Sequence, residues 1–430
     1  MNNPMNPTRR RILQAFGIST GAALVPGVAY AANQSAPQGK VVIIGGGFSG
    51  ATAAKYLRKW SDNGIEVTLI ERSPNYVSCP MSNEVLGGNR DYNTLIQTYD
   101  ALKKKWGVKV VNAEVTSVDT TARTVKTNQG QSFNYDRLIV APGIDLMFDQ
   151  IKGYDAKAQK TVLHAWKAGP QTLALRKQLE AMKDGGTYVI SIPKSPYRCP
   201  PGPYERASQV AFYFKRHKPA SKVIILDAND GIQSKGKLFQ AAWKTYYPGM
   251  VDYRPNWNVT EVDAQRKQVT SELGDTVKAD VLNIVPPMRG GDIAQKIGLL
   301  NVNQRWAGVD WVTLESTAVP GVHVIGDAVF AAPQMPKSGH MANQHGKAVA
   351  SALVEIMAGR EASPMLMANT CYSMLDDIHG VHVASVHRYN PELKAPQIVP
   401  GSGGVSGEAS LIEGRYTHGW AISIWSDTFG

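Results

Sequence analysis

The chain has 430 residues, of which 43% are hydrophobic, and its 46 basic and 35 acidic side chains give a formal net charge of +11. This length and composition predict two or three domains, each with its own hydrophobic core. The basic residues are spread along the chain without a dense run, which argues against nucleic-acid binding and favours a small anionic substrate or an acidic partner.

Residues 1–31 are predicted to be an export signal. Thr8–Leu13 contains a twin-arginine pattern, a stretch of small apolar residues follows, and Ala29–Ala31 has the composition of a signal-peptide cleavage site. The apolar stretch is interrupted by glycine and proline and is too short to remain in a bilayer, and no later segment is long enough to span one. We therefore expect a periplasmic protein, in a compartment where disulfides persist.

The next predicted unit is a strand, a glycine turn and a helix. Lys40–Ile44 is a β-branched run, the helical segment Ala51–Trp60 follows, and between them lie Gly45, Gly47 and Gly50 in the spacing GxGxxG. Gly45 permits the tight turn, Gly47 lets the backbone approach a pyrophosphate, and Gly50 allows close packing of the helix. The N-terminus of that helix offers partial positive charge to the phosphates.

A second predicted strand, Glu66–Ile70, ends at Glu71. This carboxylate lies about 20 residues beyond the glycines, where it can accept hydrogen bonds from ribose hydroxyls. A glycine motif alone is weak evidence, but its combination with Glu71 predicts dinucleotide binding.

Two later segments favour FAD over NAD, because both resemble flavoprotein signatures. Tyr135–Gly143 is similar to the strand and turn of two-dinucleotide-domain flavoproteins, with Pro142 in place of the usual threonine. Val322–Ala328 is similar to their Gly-Asp segment, so Gly326 and Asp327 are predicted to bind the flavin cofactor. The alternative for Asp327 is a helix-capping or turn aspartate.

A second α/β unit is predicted where a nicotinamide-binding domain would lie. It comprises the strand Gly186–Ile192, the helix Tyr204–His217 and the strand Lys222–Leu226. Its first turn, Pro193–Pro203, has no GxGxxG, and its prolines lack the N–H groups that bind a phosphate. We expect this unit to have kept the fold without NAD and to present Cys199 on a rigid loop.

The last region, from Arg360, is predicted to contain alternating strands with glycine-rich turns, and Ala421–Asp427 also has the pattern of a strand.

The three cysteines, Cys79, Cys199 and Cys371, lie too far apart for a CxxC pair, a zinc motif or a haem attachment motif. Either they are three buried thiols, or the fold assembles them into one redox site.

Taken together, these segments resemble flavocytochrome c sulfide dehydrogenase, flavoprotein subunit, over essentially the whole mature chain. The resemblance implies that Cys79 holds FAD covalently through a thioether to the flavin 8α-methyl group, and that Cys199 and Cys371 form a redox disulfide. It also implies that Glu205 is an active-site glutamate and that Trp425 lies beside the flavin. A first-turn helix glutamate and a packing aromatic are the alternatives for these two residues.

The implied fold class is α/β, with two Rossmann-like dinucleotide-binding domains as in glutathione reductase and a C-terminal α+β interface domain. The expected boundaries are 38–150 with 290–358 for the FAD-binding domain, 151–289 for the second Rossmann-like domain, and 359–430 for the interface domain.

The implied reaction is oxidation of sulfide to sulfur or polysulfide, with electrons passed to a separate c-type cytochrome because this chain has no haem motif. No metal site is predicted, since the histidines lack ligand spacing.

Three alternatives remain. A sulfide:quinone reductase shares the fold and a cysteine pair, but such enzymes typically end in amphipathic helices that enter the bilayer, whereas the tail here has the pattern of a strand. An NADH-dependent disulfide reductase is argued against by the missing second glycine motif. A non-enzymatic carrier would leave the three cysteines unexplained.

Overall fold

A computed structural model describes residues 36–430, so the predicted export signal at residues 1–31 lies outside the described part. Helices and strands are numbered along the chain. The helices are α1 (Phe48–Trp60), α2 (Ser82–Gly87), α3 (Asp100–Lys104), α4 (Pro170–Ala181), α5 (Gly202–His217), α6 (Gly236–Tyr246), α7 (Asp292–Lys296), α8 (Gly339–Met357) and α9 (Leu411–Phe429). Within residues 36–430, no helix is long and apolar enough to cross a membrane.

Five parallel strands form the sheet that carries the glycine turn. In spatial order they are β19 (Val322–Val324), β9 (Arg137–Val140), β1 (Gly39–Ile44), β2 (Ile65–Glu71) and β5 (Lys109–Asn112). The apolar run of β1 is buried, as expected for a central strand covered by helices. Helices α1 and α8 pack against each other, and their apolar side chains share one core with β1.

Four parallel strands form a second sheet, in the order β13 (Val251–Arg254), β12 (Lys222–Asp227), β11 (Thr187–Ile192) and β17 (Val281–Ile284). Its strand and helix positions agree closely with those expected for the second α/β unit. Residues 37–430 form one compact unit. The domain boundaries therefore stay predictions.

Antiparallel strands form the remaining sheets. The C-terminal sheet contains β20 (Met367–Met374), β21 (Gly380–Asn390), β22 (Ala395–Ile398) and β23 (Gly404–Val405). The smaller sheets are β3 (Tyr76–Val77) with β4 (Ile96–Gln97), β6 (Val115–Asp119) with β7 (Thr124–Thr127) and β8 (Ser132–Asn134), β10 (Ile144–Leu146) with β18 (Met288–Gly290), and β14 (Val259–Asp263) with β15 (Gln268–Ser271) and β16 (Thr276–Lys278).

The strand predicted for Ala421–Asp427 is wrong, because this segment lies inside helix α9. The Ser410 side chain caps the helix by accepting a hydrogen bond from the backbone N–H of Glu413 at 3.3 Å. The buried positions recur every three or four residues, which is the spacing of a helix and not of a strand: Gly414, Thr417, Ala421, Ile424 and Thr428. The short alternation that suggested a strand is therefore overruled by the longer helical period.

Candidate active site

A cavity of about 710 Å³ lies against the glycine turn, and all three cysteines line it. The fold thus brings together thiols that are far apart in the sequence. Most of the predicted site residues line this cavity: Gly45, Gly47, Glu71, Cys79, Cys199, Glu205, Asp327 and Cys371. The other three predicted residues, Gly50, Gly326 and Trp425, are not among the described residues that line it.

The glycine turn is closed by contacts that only glycine permits. Gly45 has a φ of +100°, and a Cβ there would lie 2.2 Å from the Ala141 carbonyl oxygen. A Cβ on Gly50 would lie 1.9 Å from the Gly45 carbonyl oxygen. Helix α1 therefore starts directly against the turn, with Gly47 as its N-cap. This arrangement leaves a helix N-terminus facing the cavity, as anion binding requires.

Glu71 stands at the end of β2 and fixes the turn from the other side. One carboxylate oxygen accepts a hydrogen bond from the Gly46 N–H at 2.7 Å, and the other accepts one from the Ser73 N–H at 2.9 Å. The carboxylate thus has a fixed orientation at the cavity wall. The contact of the Glu71 carboxylate with a ribose stays a prediction.

Cys79 lies in the loop between β3 and α2. Its sulfur accepts a hydrogen bond from the Ala168 N–H at 3.4 Å. Trp425, predicted to lie beside the flavin, is not among the described residues that line the cavity; its indole N–H donates to the Ser78 hydroxyl at 2.9 Å, next to Cys79 in the chain. Trp420 of the same helix lines the cavity instead. Trp425 therefore supports the loop that carries Cys79 through its hydrogen bond to Ser78.

Cys199 and Cys371 are free thiols in this structure, so the implied disulfide stays a prediction. Cys199 has a φ of +59°, and its backbone N–H donates to the Lys337 carbonyl at 2.8 Å. Burial, with added repulsion from Cys371 and Glu205, raises the pKa of Cys199 to about 12. Burial also raises the pKa of Cys371, where Lys235 is the strongest opposing group. Arg198 and Lys235 oppose the shift at Cys199 as well, but each by less than Glu205 adds to it.

Glu205 lies in the first turn of α5, near both of these cysteines. Its carboxylate accepts hydrogen bonds from the Asn83 amide and from the Met374 N–H, each at 2.9 Å. Burial raises its pKa, although these two hydrogen bonds act in the opposite direction. A carboxyl group of raised pKa beside two sulfurs is suited to accept and return a proton.

Two cations lie near Asp327: Arg198, which lines the cavity, and Lys337, which is not among the described residues that line it. Burial raises the pKa of Asp327, and Arg198 and Lys337 oppose that shift. The Lys337 ammonium also donates to the Asp327 carbonyl at 2.9 Å. Gly326, with a φ of +76°, lies behind the wall and donates its N–H to His345 Nδ1 at 3.2 Å. Asp327 thus lines the cavity beside positive charge, and its contact with the flavin stays a prediction.

Comparison with known proteins gives three family matches that together cover most of the described chain. Residues 172–286 match "Sulfide dehydrogenase [flavocytochrome c] flavoprotein chain, central", and residues 363–429 match "Flavocytochrome c sulphide dehydrogenase, flavin-binding". Residues 39–181 match "Pyridine nucleotide-disulphide oxidoreductase". The chain belongs to the flavocytochrome c sulfide dehydrogenase flavoprotein family.

Curated relatives of this family member include mitochondrial sulfide:quinone oxidoreductases. The protein from Mus musculus is 23% identical over 306 residues, which is 67% of this chain and 65% of the relative. The protein from Dictyostelium discoideum is 25% identical over 300 residues, with the same coverage. Among solved structures, the sulfide:quinone oxidoreductase from Aquifex aeolicus has a TM-score of 0.73 at 18% identity and covers 91% of this chain and 92% of that one. This last likeness shows the fold alone.

The cavity fits the FAD that the family matches support. Its volume lies within the roughly 300–1,000 Å³ typical of ligand sites. The glycine turn, Glu71 and Asp327 line the cavity, and their contacts with FAD stay predictions. In the second sheet, the loop between β11 and α5 contains the buried Tyr197 and the side chain of Arg198, so it offers no open glycine turn for a second nucleotide.

Two residues near the cysteines were not predicted from the sequence. Arg206 is 3% exposed, and its guanidinium donates to Asn83 and to the carbonyls of His164 and Ala165. Lys235 is 6% exposed and reaches the strand that carries Cys371. Neither belongs to a recognisable motif, because the contacts join segments that are distant in the sequence.

Proposed function

We propose that this chain is a periplasmic sulfide-oxidising flavoenzyme that uses a Cys199–Cys371 redox disulfide and covalently bound FAD, and that a c-type cytochrome accepts its electrons. The observation that carries the proposal is the convergence of the three cysteines and the glycine turn on one cavity. The family matches support sulfide as the substrate and FAD as the cofactor. The location rests on the twin-arginine pattern in the sequence.

The cysteine pair would react first. Hydrosulfide attacks the Cys199 sulfur; a new S–S bond forms as the Cys199–Cys371 bond breaks, and the electron pair leaves on Cys371 as a thiolate. Cys199 then carries a persulfide that contains the sulfur of the substrate. FAD bound in the cavity would supply the two-electron acceptor that allows the disulfide to be restored and zero-valent sulfur to be released.

Neighbouring charged groups support this chemistry. The hydrosulfide proton must be lost during the cycle, and Glu205 is the buried carboxylate beside both sulfurs, so it is the group proposed to accept the proton. Arg198 lines the cavity and interacts with both Cys79 and Cys199. Its positive charge favours the entry of an anionic substrate.

Anaerobic titration with sulfide and, separately, with NADH tests the proposal. We expect sulfide to bleach the flavin absorbance of the purified protein and NADH to leave it unchanged. Reduction by NADH alone would overturn both the sulfide assignment and the claim that the proline loop excludes the nucleotide. Cys199→Ser should abolish bleaching by sulfide while leaving the flavin bound.

The covalent link is tested by acid precipitation. The Cys79 sulfur faces the cavity, and we expect flavin to stay in the protein pellet of the wild type and to move to the supernatant in Cys79→Ser. Cys199→Ser, which leaves Cys79 intact, is the matched control and should keep its flavin in the pellet. Flavin retained in the Cys79→Ser pellet would rule out the thioether.

A quinone is the second candidate acceptor, favoured by helix α9. This helix exposes a set of large apolar side chains: Leu411, Ile412, Tyr416 and Ile422. The curated relatives include sulfide:quinone oxidoreductases. After reduction by sulfide, the protein can be offered cytochrome c or a short-chain ubiquinone under anaerobic conditions. Faster reoxidation by the cytochrome supports the main proposal, whereas faster reoxidation by the quinone replaces it.

A further inference from the structure

Lys235 is a buried cation that the mechanism above does not use. It directly precedes helix α6 and has a φ of +59°, a left-handed conformation that is uncommon outside glycine. Its ammonium donates to the Cys371 carbonyl at 3.0 Å and to the Ser373 hydroxyl at 2.7 Å, both on β20. A lysine from the loop between β12 and α6 therefore holds the backbone that carries Cys371.

The surroundings of Lys235 are acidic. Burial lowers its pKa to about 8, and the acidic groups that face it from four different segments oppose this shift: Cys371, Glu205, Cys199 and Glu413. A group with this pKa is about nine-tenths protonated at pH 7. The Lys235 ammonium thus places positive charge beneath the cysteine pair. The Phe239 ring, 5.8 Å away, covers its other side.

We propose that Lys235 is a positioning residue that stabilises the Cys371 thiolate released when the disulfide opens, and so directs the persulfide to Cys199. The inference rests on the proposed function, since it concerns the same disulfide. The attack moves one negative charge from hydrosulfide to Cys371, and the proton stays on the outer persulfide sulfur. A cation fixed beneath Cys371 compensates that charge without a proton transfer.

The direction of attack follows from the asymmetry between the two sulfurs. A disulfide opens fastest when the departing sulfur is the one better stabilised as a thiolate. Lys235, Asn369 and Ser338 all favour the Cys371 thiolate. Arg198 and Lys235 also favour the Cys199 thiolate, but there Glu205 opposes it more strongly than either cation favours it, so this thiolate is the less favourable of the two. Cys371 should therefore depart, and Cys199 should keep the substrate sulfur.

The test uses the holoenzyme after reduction with dithiothreitol and measures the rate at which Cys371 reacts with methyl methanethiosulfonate, a small neutral reagent for thiolates. Modification is followed by peptide mass spectrometry between pH 6 and 10. We expect Lys235→Met to slow the reaction about tenfold at pH 7, where Lys235 is charged, the change that one unit of thiol pKa produces below its midpoint. Lys235→Arg, which keeps the charge, should restore most of the rate.

Lys237→Met is the matched control, because it removes the same charge from an exposed side chain two residues away. Its rate should equal that of the wild type. If Lys235→Met does not fold, Lys235→Gln carries the same expectation. Equal Cys371 rates in the wild type and the folded Lys235 variant would overturn the inference. Failure of sulfide to bleach the wild-type flavin would instead overturn the proposed function, since the thiol test uses no sulfide.

Discussion

Replacing Gly50 with alanine tests whether the close contact at the start of α1 is required. The new Cβ would lie 1.9 Å from the Gly45 carbonyl oxygen and 3.2 Å from the Ala141 Cβ, whereas ordinary contact begins at 3.4 Å. The first neighbour is backbone, and the second is a side chain with no rotamers. The contact can therefore be relieved only by moving α1 away from the glycine turn.

The expected loss combines two opposing terms. Alanine in place of glycine inside a helix stabilises by up to about 1 kcal/mol. Overpacking a closely packed site costs about 1–3 kcal/mol. Because a Cβ 1.9 Å from a backbone oxygen belongs at the upper end of that cost, we expect the free energy of unfolding to fall by about 2 kcal/mol. The same displacement moves the turn that would hold the pyrophosphate, so the molar ratio of FAD to protein should also fall.

Gly419→Ala in α9 is the matched control. Gly419 is exposed, and a Cβ there would meet nothing within 4 Å. This variant should gain up to about 1 kcal/mol from helix propensity and should bind FAD normally. Denaturant unfolding and the flavin content of the purified proteins are the two measurements. If Gly50→Ala binds a full equivalent of FAD and unfolds at the wild-type denaturant concentration, the argument from close packing is refuted.

Two further predictions concern buried polar groups. Arg206→Met leaves the acceptors on Asn83 and Ala165 without a hydrogen-bond donor, whereas the His164 carbonyl still accepts from Asn283. At about 1–3 kcal/mol for each of these two buried unsatisfied groups, the free energy of unfolding should fall by at least about 2 kcal/mol, measured by urea unfolding. Burial lowers the pKa of His345 to about 3. Between pH 6.5 and 3 the unfolded chain therefore binds a proton that the folded chain does not, so the free energy of unfolding falls by about 1.4 kcal/mol for each unit by which the pH decreases. His345→Gln should lower the slope measured by urea unfolding at pH 7, 5.5 and 4.5 by that amount, while the buried His164 and His323 keep their own contributions. An unchanged slope would contradict the assignment.

Sequence alone predicted the parts of the site that depend on local geometry. The glycines between β1 and α1 stand where the chain needs a tight turn and a close approach. Glu71 is the last residue of β2, and its carboxylate accepts a hydrogen bond from the glycine turn. These features are encoded within a few tens of residues. A spacing pattern can therefore reveal them.

Contacts between distant segments could not be predicted in this way. Arg206 and Lys235 act on the cysteine region through backbone carbonyls, and any residue type supplies a carbonyl. No sequence pattern marks the partner of such a donor. Trp425 and Trp420 show the same limit, because which of two aromatics on α9 faces the cavity depends on how the helix packs.

The C-terminal helix changes how the electron acceptor should be judged. A strand at Ala421–Asp427 would have distinguished this chain from quinone-reducing enzymes, but that segment is helical. Thr417 and Trp420 line the cavity on one side of α9, while Tyr416 and Ile422 of the same helix are exposed. An acceptor that binds the exposed apolar side would thus lie one helix away from the cavity. The shape of the tail therefore no longer separates the two acceptors. The family matches favour a cytochrome, and the reoxidation test decides between the two.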